Sequence, residues 1–178
     1  MSAWTFIAHA EVGTGGPASI TFSSIPASYT DLAILVSARS TRAANDNSAT
    51  FTFNSSTSNF SGRYLSGDGS TTESGTVTNY AFQMPAANST ANTFGSVLIY
   101  IPNYTSTTTA KSYSVDSVTE NNASSAIQTL VAGLWNPATQ AAISSIVMTA
   151  ALSAGFSQYS SATLFGITKG SSGGVTVS

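Results

Sequence analysis

The chain has 178 residues and a net charge of −2, and only 7% of its residues are charged. Its five Lys and Arg residues are too few for the basic patch with which a nucleic-acid-binding protein neutralises phosphates, and it has no cysteine for disulfides or thiolate ligands. No apolar run reaches the ~18 residues of a membrane-spanning helix. Serine and threonine together account for 57 residues. This composition favours one folded domain that binds neither nucleic acid nor a membrane.

Short apolar runs, separated by clusters of Gly, Pro, Asn, Ser and Thr, are typical of an all-β chain. Several runs alternate with a period of two: Phe51 and Phe53 share one side of a run, and Tyr113 and Val115 share one side of another. Helix signals are poor, because Ser, Thr and Asn side chains compete for backbone hydrogen bonds. In chain order we predict strands at residues 4–12, 19–23, 32–39, 50–54, 63–66, 76–84, 96–101, 112–119, 127–135, 143–149 and 162–168.

Two of these runs are unusually apolar. Residues 32–36 (Leu-Ala-Ile-Leu-Val) are apolar on both faces, which is typical of a central strand covered on both sides, so we expect Leu35 to be buried. Residues 97–101 (Val-Leu-Ile-Tyr-Ile) are strong β-formers and would promote aggregation if they were exposed.

The predicted architecture is an antiparallel β-sandwich. About ten strands with irregular spacing favour two packed sheets with a jelly-roll-like topology over a propeller or a solenoid. We place this single domain at residues 1–168. Residues 169–178 then form a Gly/Ser-rich C-terminal tail.

Reactive side chains are scarce. His9 is the single histidine, and metal sites of the ordinary type use several histidine or thiolate ligands, so we expect it to face solvent or an interface. Asp116 and Glu120 lie four residues apart on a predicted strand and would be about 13 Å apart. Asp68 and Glu73 lie in a Gly/Ser/Thr loop, as solvated carboxylates or as part of a weak calcium site. We therefore predict a protein that is not an enzyme, with no catalytic residues, no cofactor and no metal.

Three of the five cations are Arg39, Arg42 and Arg63. Each could pair with an acid of the same chain, such as Asp31 or Asp46. Alternatively, they are inter-subunit contacts, because the guanidinium group suits carboxylates and backbone carbonyls at interfaces.

A resemblance to a known family extends over much of the chain. The segments that carry it are residues 20–32, 40–43, 53–54, 63–69, 101–106, 117–122, 132–135 and 159–167. In these segments the chain resembles virion proteins of tailed bacteriophages, those of cyanophages and other aquatic phages especially. The resemblance implies a structural protein of the virion. It also implies a domain that is used both as a small free-standing virion protein and as a module of tail fibres, with no catalytic residues.

Two roles follow from the resemblance. In the first, the protein is a capsid decoration (cement) protein on the outer capsid surface, a homotrimer whose partners are copies of itself and the major capsid protein. In the second, it is a tail-fibre or tail-tip protein that binds host surface glycans. A glycan site would use aromatic side chains such as Tyr104 or Trp135.

Overall fold

The computed structural model describes residues 4–122 and 124–168, which form twelve β-strands and no helix. The predicted all-β class is therefore confirmed. The predicted tail, residues 169–178, lies outside the described residues. In chain order the strands are β1 (Trp4–Glu11), β2 (Ser19–Phe22), β3 (Asp31–Ala38), β4 (Asp46–Phe53), β5 (Phe60–Gly67), β6 (Thr72–Val77), β7 (Tyr80–Pro85), β8 (Gly95–Ile101), β9 (Lys111–Glu120), β10 (Ala126–Trp135), β11 (Ile146–Ala150) and β12 (Ser161–Ile167).

The strands form two antiparallel sheets of unequal width, which is consistent with the predicted β-sandwich. The larger sheet has eight strands in the order β1-β12-β3-β8-β9-β10-β5-β6, and the smaller has four in the order β2-β11-β4-β7. Strand β7 forms one edge of the smaller sheet and packs over β9 and β10 of the larger sheet. The larger sheet continues past β7 with β5 and β6. The jelly-roll topology stays a prediction.

One predicted strand is two strands in different sheets. Residues 76–84 were expected to be continuous, but β6 pairs with β5 in the larger sheet and β7 pairs with β4 in the smaller. The chain crosses between the sheets at Thr78 and Asn79. Asn79 fixes this crossing, because the Phe51 amide donates to its carbonyl and its Nδ2 donates to the Phe51 carbonyl.

The core lies between the two sheets and follows from the period-two alternation of the strands. In β9 the side chains alternate strictly between buried and exposed, from Lys111 onward. A group of aromatic rings fills one end of the core, with the rings of Phe53 and Trp135 edge to face and 5.8 Å apart. Such contacts stabilise beyond the area that they bury. The rings of this group belong to Phe51, Phe53, Phe60, Tyr113 and Trp135.

Gly133 on β10 makes room for one of these rings. A Cβ at this position would lie 2.0 Å from Cζ of Tyr113, its partner on β9. The Tyr113 ring therefore lies across the glycine backbone, and its hydroxyl donates to the Tyr80 carbonyl at 3.3 Å. Burial raises the pKa of Tyr113 to about 12.

The expectation that β3 is covered on both sides is wrong at Leu35. The strand is internal to the larger sheet, between β12 and β8, and Leu32, Ile34 and Val36 are buried. Leu35, however, lies on the opposite face and is 45% exposed. Ala33, on the same outer face as Leu35, is fully buried between its larger pairing partners Phe165 and Tyr100, so this face is covered at Ala33 and open at Leu35.

Strand β8 is also internal, with β3 on one side and β9 on the other. Its backbone hydrogen-bonding groups are therefore used within the sheet, and the expected hazard of an exposed strand edge does not arise here. Val97, Ile99 and Ile101 are buried, whereas Leu98 is 42% exposed on the outer face.

Candidate functional site: the outer face of the eight-stranded sheet

The register of the larger sheet aligns four leucines in one row across its outer face. Leu35 on β3 pairs with Leu98 on β8, and Leu130 on β10 pairs with Leu65 on β5. Asp116 on β9 lies between Leu98 and Leu130. We call Leu35, Leu98, Leu130 and Leu65 the leucine row. From β3 to β5 it crosses four strand spacings, or about 19 Å.

The leucine row is open to solvent. Its members are between 42% and 61% exposed, and Val118 on the same face is 41% exposed. The row consists of two apolar pairs, Leu35 with Leu98 and Leu130 with Leu65, on either side of Asp116. Clustered exposed apolar side chains of this kind mark contact sites. The row is therefore the strongest candidate for a functional surface.

A groove of about 410 Å³ runs along β9 and β10 beside the row. The groove exists because Ser114 on β9 has a short side chain, whereas Tyr100, its pairing partner on β8, has a large one. On its other side Ser114 is paired with Ala132 on β10, and Ala132 is in turn paired with Arg63 on β5. The groove is thus mainly apolar, with Arg63 and Asp116 as the charged residues among those that line it.

An irregularity in β1 extends the apolar face. The pairing of β1 with β12 shifts register between Phe6 and Ala8. Phe6 is consequently paired with Phe165 and is 60% exposed, on the same face as His9, although simple alternation would place it opposite His9. Trp4 also contacts Phe165, at 5.7 Å between ring centroids.

The outer face of the smaller sheet has a different composition. Its central apolar residue, Val147, lies between Thr21 on β2 and Thr52 on β4. The neighbouring outward positions are Ser48, Thr50 and Thr149. Because the two outer faces come from one Ser/Thr-rich sequence, the concentration of leucines on only one of them indicates a face-specific role.

Arg39 is not an inter-subunit contact, nor does it pair with an acid as the alternative supposed. Its side chain is buried, and the guanidinium donates to four backbone carbonyls of the segment between β7 and β8. The Nη1 donates to Thr90 at 2.7 Å and to Thr93 at 2.9 Å, and the Nη2 donates to Ser89 at 2.9 Å and to Ala87 at 3.4 Å. The residue holds this segment in place.

The other two arginines differ from Arg39. Arg42 is half-buried and donates to the backbone carbonyl of Asp46 at 3.2 Å. Arg63 is exposed beside the leucine row and donates to the Gly62 carbonyl at 2.8 Å. Arg63 is therefore the predicted contact residue that lies on the candidate surface, and its contact role stays a prediction.

The two aromatic residues chosen for a glycan site cannot serve it, because both are buried. Tyr104 is fully buried and its hydroxyl donates to the Pro26 carbonyl. Trp135 is 2% exposed and packs against Phe53 and Phe60 in the core. A sugar ring has no access to either side chain.

The remaining acids of interest have structural partners. Asp31 accepts from the Tyr100 hydroxyl at 2.7 Å and from the Asn103 amide at 2.9 Å. The hydrogen bond to Asp31 raises the pKa of Tyr100. Glu120 accepts from the Thr90 amide at 2.7 Å, and Asp116 accepts from Gln128 at 3.1 Å.

Two single groups stood out in the sequence for metal or acid–base chemistry. His9 is exposed, with its Nδ1 2.8 Å from the Thr163 hydroxyl oxygen. Asp68 accepts from the amides of Ser70 and Thr71 at the tip of the β5–β6 hairpin. No group of three or more His, Cys, Asp or Glu side chains within the described part of the chain is placed to hold a metal ion.

Lys111 is a buried lysine at the start of β9. Its Nζ donates to the Thr109 carbonyl at 2.6 Å, and burial lowers the pKa of Lys111. The Lys111 side chain lies on the buried side of β9, so its amine is on neither outer face.

The sequence analysis missed the leucine row, although one signal was present. In β10, Leu130, Ala132 and Leu134 alternate with Val131 and Gly133, so both faces of the strand are apolar. This alternation predicts that both faces are apolar, but only the register of neighbouring strands shows that Leu130 joins Leu98 and Leu65 in one surface.

No protein-family model, curated protein or solved structure matches this chain. Within residues 4–122 and 124–168 there is also no helix with the length and apolarity to span a bilayer.

Proposed function

We propose that the protein is a structural protein of a bacteriophage virion, a capsid decoration protein that binds the outer shell and stabilises contacts between major capsid subunits. The leucine row carries this proposal, together with the resemblance of the sequence to phage virion proteins. In this role the outer face of the eight-stranded sheet lies against the shell.

The physical argument is that this face binds by burial. Covering apolar surface contributes about 25 cal/mol for each Å² removed from water. Charged groups are costly to desolvate, and Asp116 and Arg63 are the two that line the groove beside the row. Docking over the groove therefore desolvates these two charges, while the other residues that line it are uncharged.

Symmetry would strengthen such a contact. We propose a homotrimer, in which three identical faces bind neighbouring shell subunits at once. Linked binding sites give much tighter overall attachment than one site alone. A modest contact at each leucine row is then sufficient for lasting attachment.

The tail-fibre or tail-tip role is the alternative, and copy number separates the two. A decoration protein is present in hundreds of copies per particle, whereas a tail protein is present in a dozen or fewer. Quantitative mass spectrometry of purified virions of the phage that encodes the chain measures this number. A count in the low tens would overturn the decoration role and favour the tail.

A variant pair tests the surface itself. Leu98→Asp places a charge in the leucine row and should strongly reduce the amount of protein on purified particles. Thr21→Asp places the same charge on the exposed outer side of β2 in the other sheet and should leave the amount unchanged. Equal occupancy by both variants would contradict the proposed docking face.

A further inference from the structure

A polar cleft of about 440 Å³ lies on the other side of the larger sheet from the leucine row. It forms where β5 and β6 extend past β7, so that the inner face of β5 is not fully covered by the smaller sheet. Its volume is within the ~300–1,000 Å³ range of small-ligand sites. We call it the tyrosine cleft; its principal side chains are Arg42, Asp46, Tyr64, Glu73, Tyr80 and Gln83.

Two tyrosines form one wall of the cleft. The rings of Tyr64 on β5 and Tyr80 on β7 are stacked, with centroids 6.5 Å apart and planes at 21°. Gly75 on β6 lets the Tyr64 ring lie close to the sheet, since a Cβ there would be 2.7 Å from the ring. Both phenol hydroxyls lack a hydrogen-bond partner among the protein groups that the structure describes. An aromatic wall with polar tips suits a ligand that has both apolar and hydroxyl groups.

Polar groups on the other walls are held in place by the fold. The Thr129 hydroxyl donates to Oε1 of Gln83 at 2.9 Å, which leaves the Nε2 group of Gln83 as a donor. The Ser66 hydroxyl oxygen is 3.0 Å from that of Thr129. Arg42 donates a hydrogen bond to the backbone carbonyl of Asp46. Burial raises the pKa of Tyr80, and the nearby Asp46 carboxylate raises it further.

The charge of the cleft selects against anions. Asp46, Asp68 and Glu73 contribute three carboxylates against the single guanidinium of Arg42. The amides of Thr71 and Ser70 and their hydroxyls hold the pKa of Asp68 well below its usual range, which favours the carboxylate form. A ligand that brings further negative charge would be repelled, whereas one with many neutral hydroxyls would find donors and acceptors together.

We propose that the tyrosine cleft binds a short neutral oligosaccharide. The apolar face of a sugar ring lies against the tyrosine pair, and its hydroxyls bond to Asp46, Gln83 and the phenol groups. This proposal does not depend on a position in the capsid or the tail. It places saccharide binding at residues different from Tyr104 and Trp135, which are buried.

The test begins with a glycan array of neutral hexose and N-acetylhexosamine oligosaccharides, with their sialylated and sulfated counterparts. The purified full chain should bind neutral glycans and not the anionic ones. Isothermal titration with the neutral oligosaccharide that gives the strongest array signal then measures Kd. The double variant Asp46→Asn, Tyr80→Phe should weaken this binding by at least about tenfold.

The matched control is the double variant Glu11→Gln, Tyr159→Phe, which likewise neutralises one carboxylate and removes one phenol hydroxyl at exposed positions outside the cleft, and it should retain the wild-type Kd. Circular dichroism and melting temperature verify that both variants fold. The proposal is overturned if no neutral glycan on the array binds, if anionic glycans bind better, or if the cleft variant keeps the wild-type Kd.

Discussion

At the scale of single residues, the burial of Arg39 shows how this protein uses a scarce charge. The guanidinium donates to four carbonyls between Ala87 and Thr93, a segment with no strand of its own. The planar fork of arginine can reach several carbonyls at once, whereas the ammonium of lysine cannot reproduce this geometry. Arg39 therefore holds in place the segment that connects β7 of the smaller sheet to β8 of the larger sheet.

We predict that Arg39→Lys lowers the free energy of unfolding by at least about 2 kcal/mol, because it leaves several buried carbonyls without donors. Arg63→Lys is the control, since Arg63 is exposed and its one hydrogen bond within residues 4–122 and 124–168 is to the Gly62 carbonyl next to it. Its effect should stay within about 0.5 kcal/mol. Urea denaturation of both variants measures the difference, and equal stability would show that the carbonyl contacts contribute little.

Adjacent residues on β3 should respond very differently to truncation. Ile34 is fully buried, so Ile34→Ala should cost about 2–5 kcal/mol through lost burial and the cavity that remains. Leu35 is 45% exposed, so Leu35→Ala should cost less than about 1 kcal/mol in the free protein. Thermal denaturation compares the two, and a larger loss for Leu35→Ala would mean that the strand faces are assigned the wrong way round.

At the scale of elements, the strands could largely be predicted from sequence, because alternation and turn residues are local signals. The boundary between β6 and β7 could not, since Thr78 and Asn79 are compatible with either a strand or a turn. The displaced face of Phe6 depends on a bulge that alternation does not reveal. For the candidate surface, alternation identifies two faces but does not say which of them a second sheet covers.

The turn of the β5–β6 hairpin gives a pH dependence. Asp68 has an ordinary pKa of 3.8 and a lower one in the folded protein, because its carboxylate accepts from Thr71 and Ser70. A depressed pKa contributes stability above the unfolded-state value, and that contribution is lost as the pH falls toward the folded-state value. We predict that the difference in melting temperature between wild type and Asp68→Asn shrinks as the pH falls from about 5 to about 2. A difference independent of pH would contradict this role of the carboxylate.

At the scale of the whole molecule, the two outer faces define a protein with one side suited to contact. The leucine row lies on the wide sheet, and Ser and Thr cover much of the narrow one. The larger sheet also extends past its partner, and this overhang leaves the tyrosine cleft open on its inner side. Unequal sheet width therefore underlies the cleft, and strand register underlies the leucine row.

We predict that the free protein self-associates through the leucine row when no shell subunit covers it. Sedimentation velocity should show species larger than the proposed trimer for the wild type and a shift toward smaller species for Leu130→Asp. Thr21→Asp should sediment as the wild type does. A wild-type protein that stays a monomer at every concentration would contradict this expectation.

The burial of Lys111 has a practical consequence for the measurements described above. The sequence contains one other lysine, Lys169, near its C-terminal end. Amine-reactive dyes and surface-coupling reagents require an accessible amine, which Lys111 does not offer while it is enclosed. Labelling with such reagents therefore leaves β9, whose lysine is Lys111, unmodified while the chain is folded.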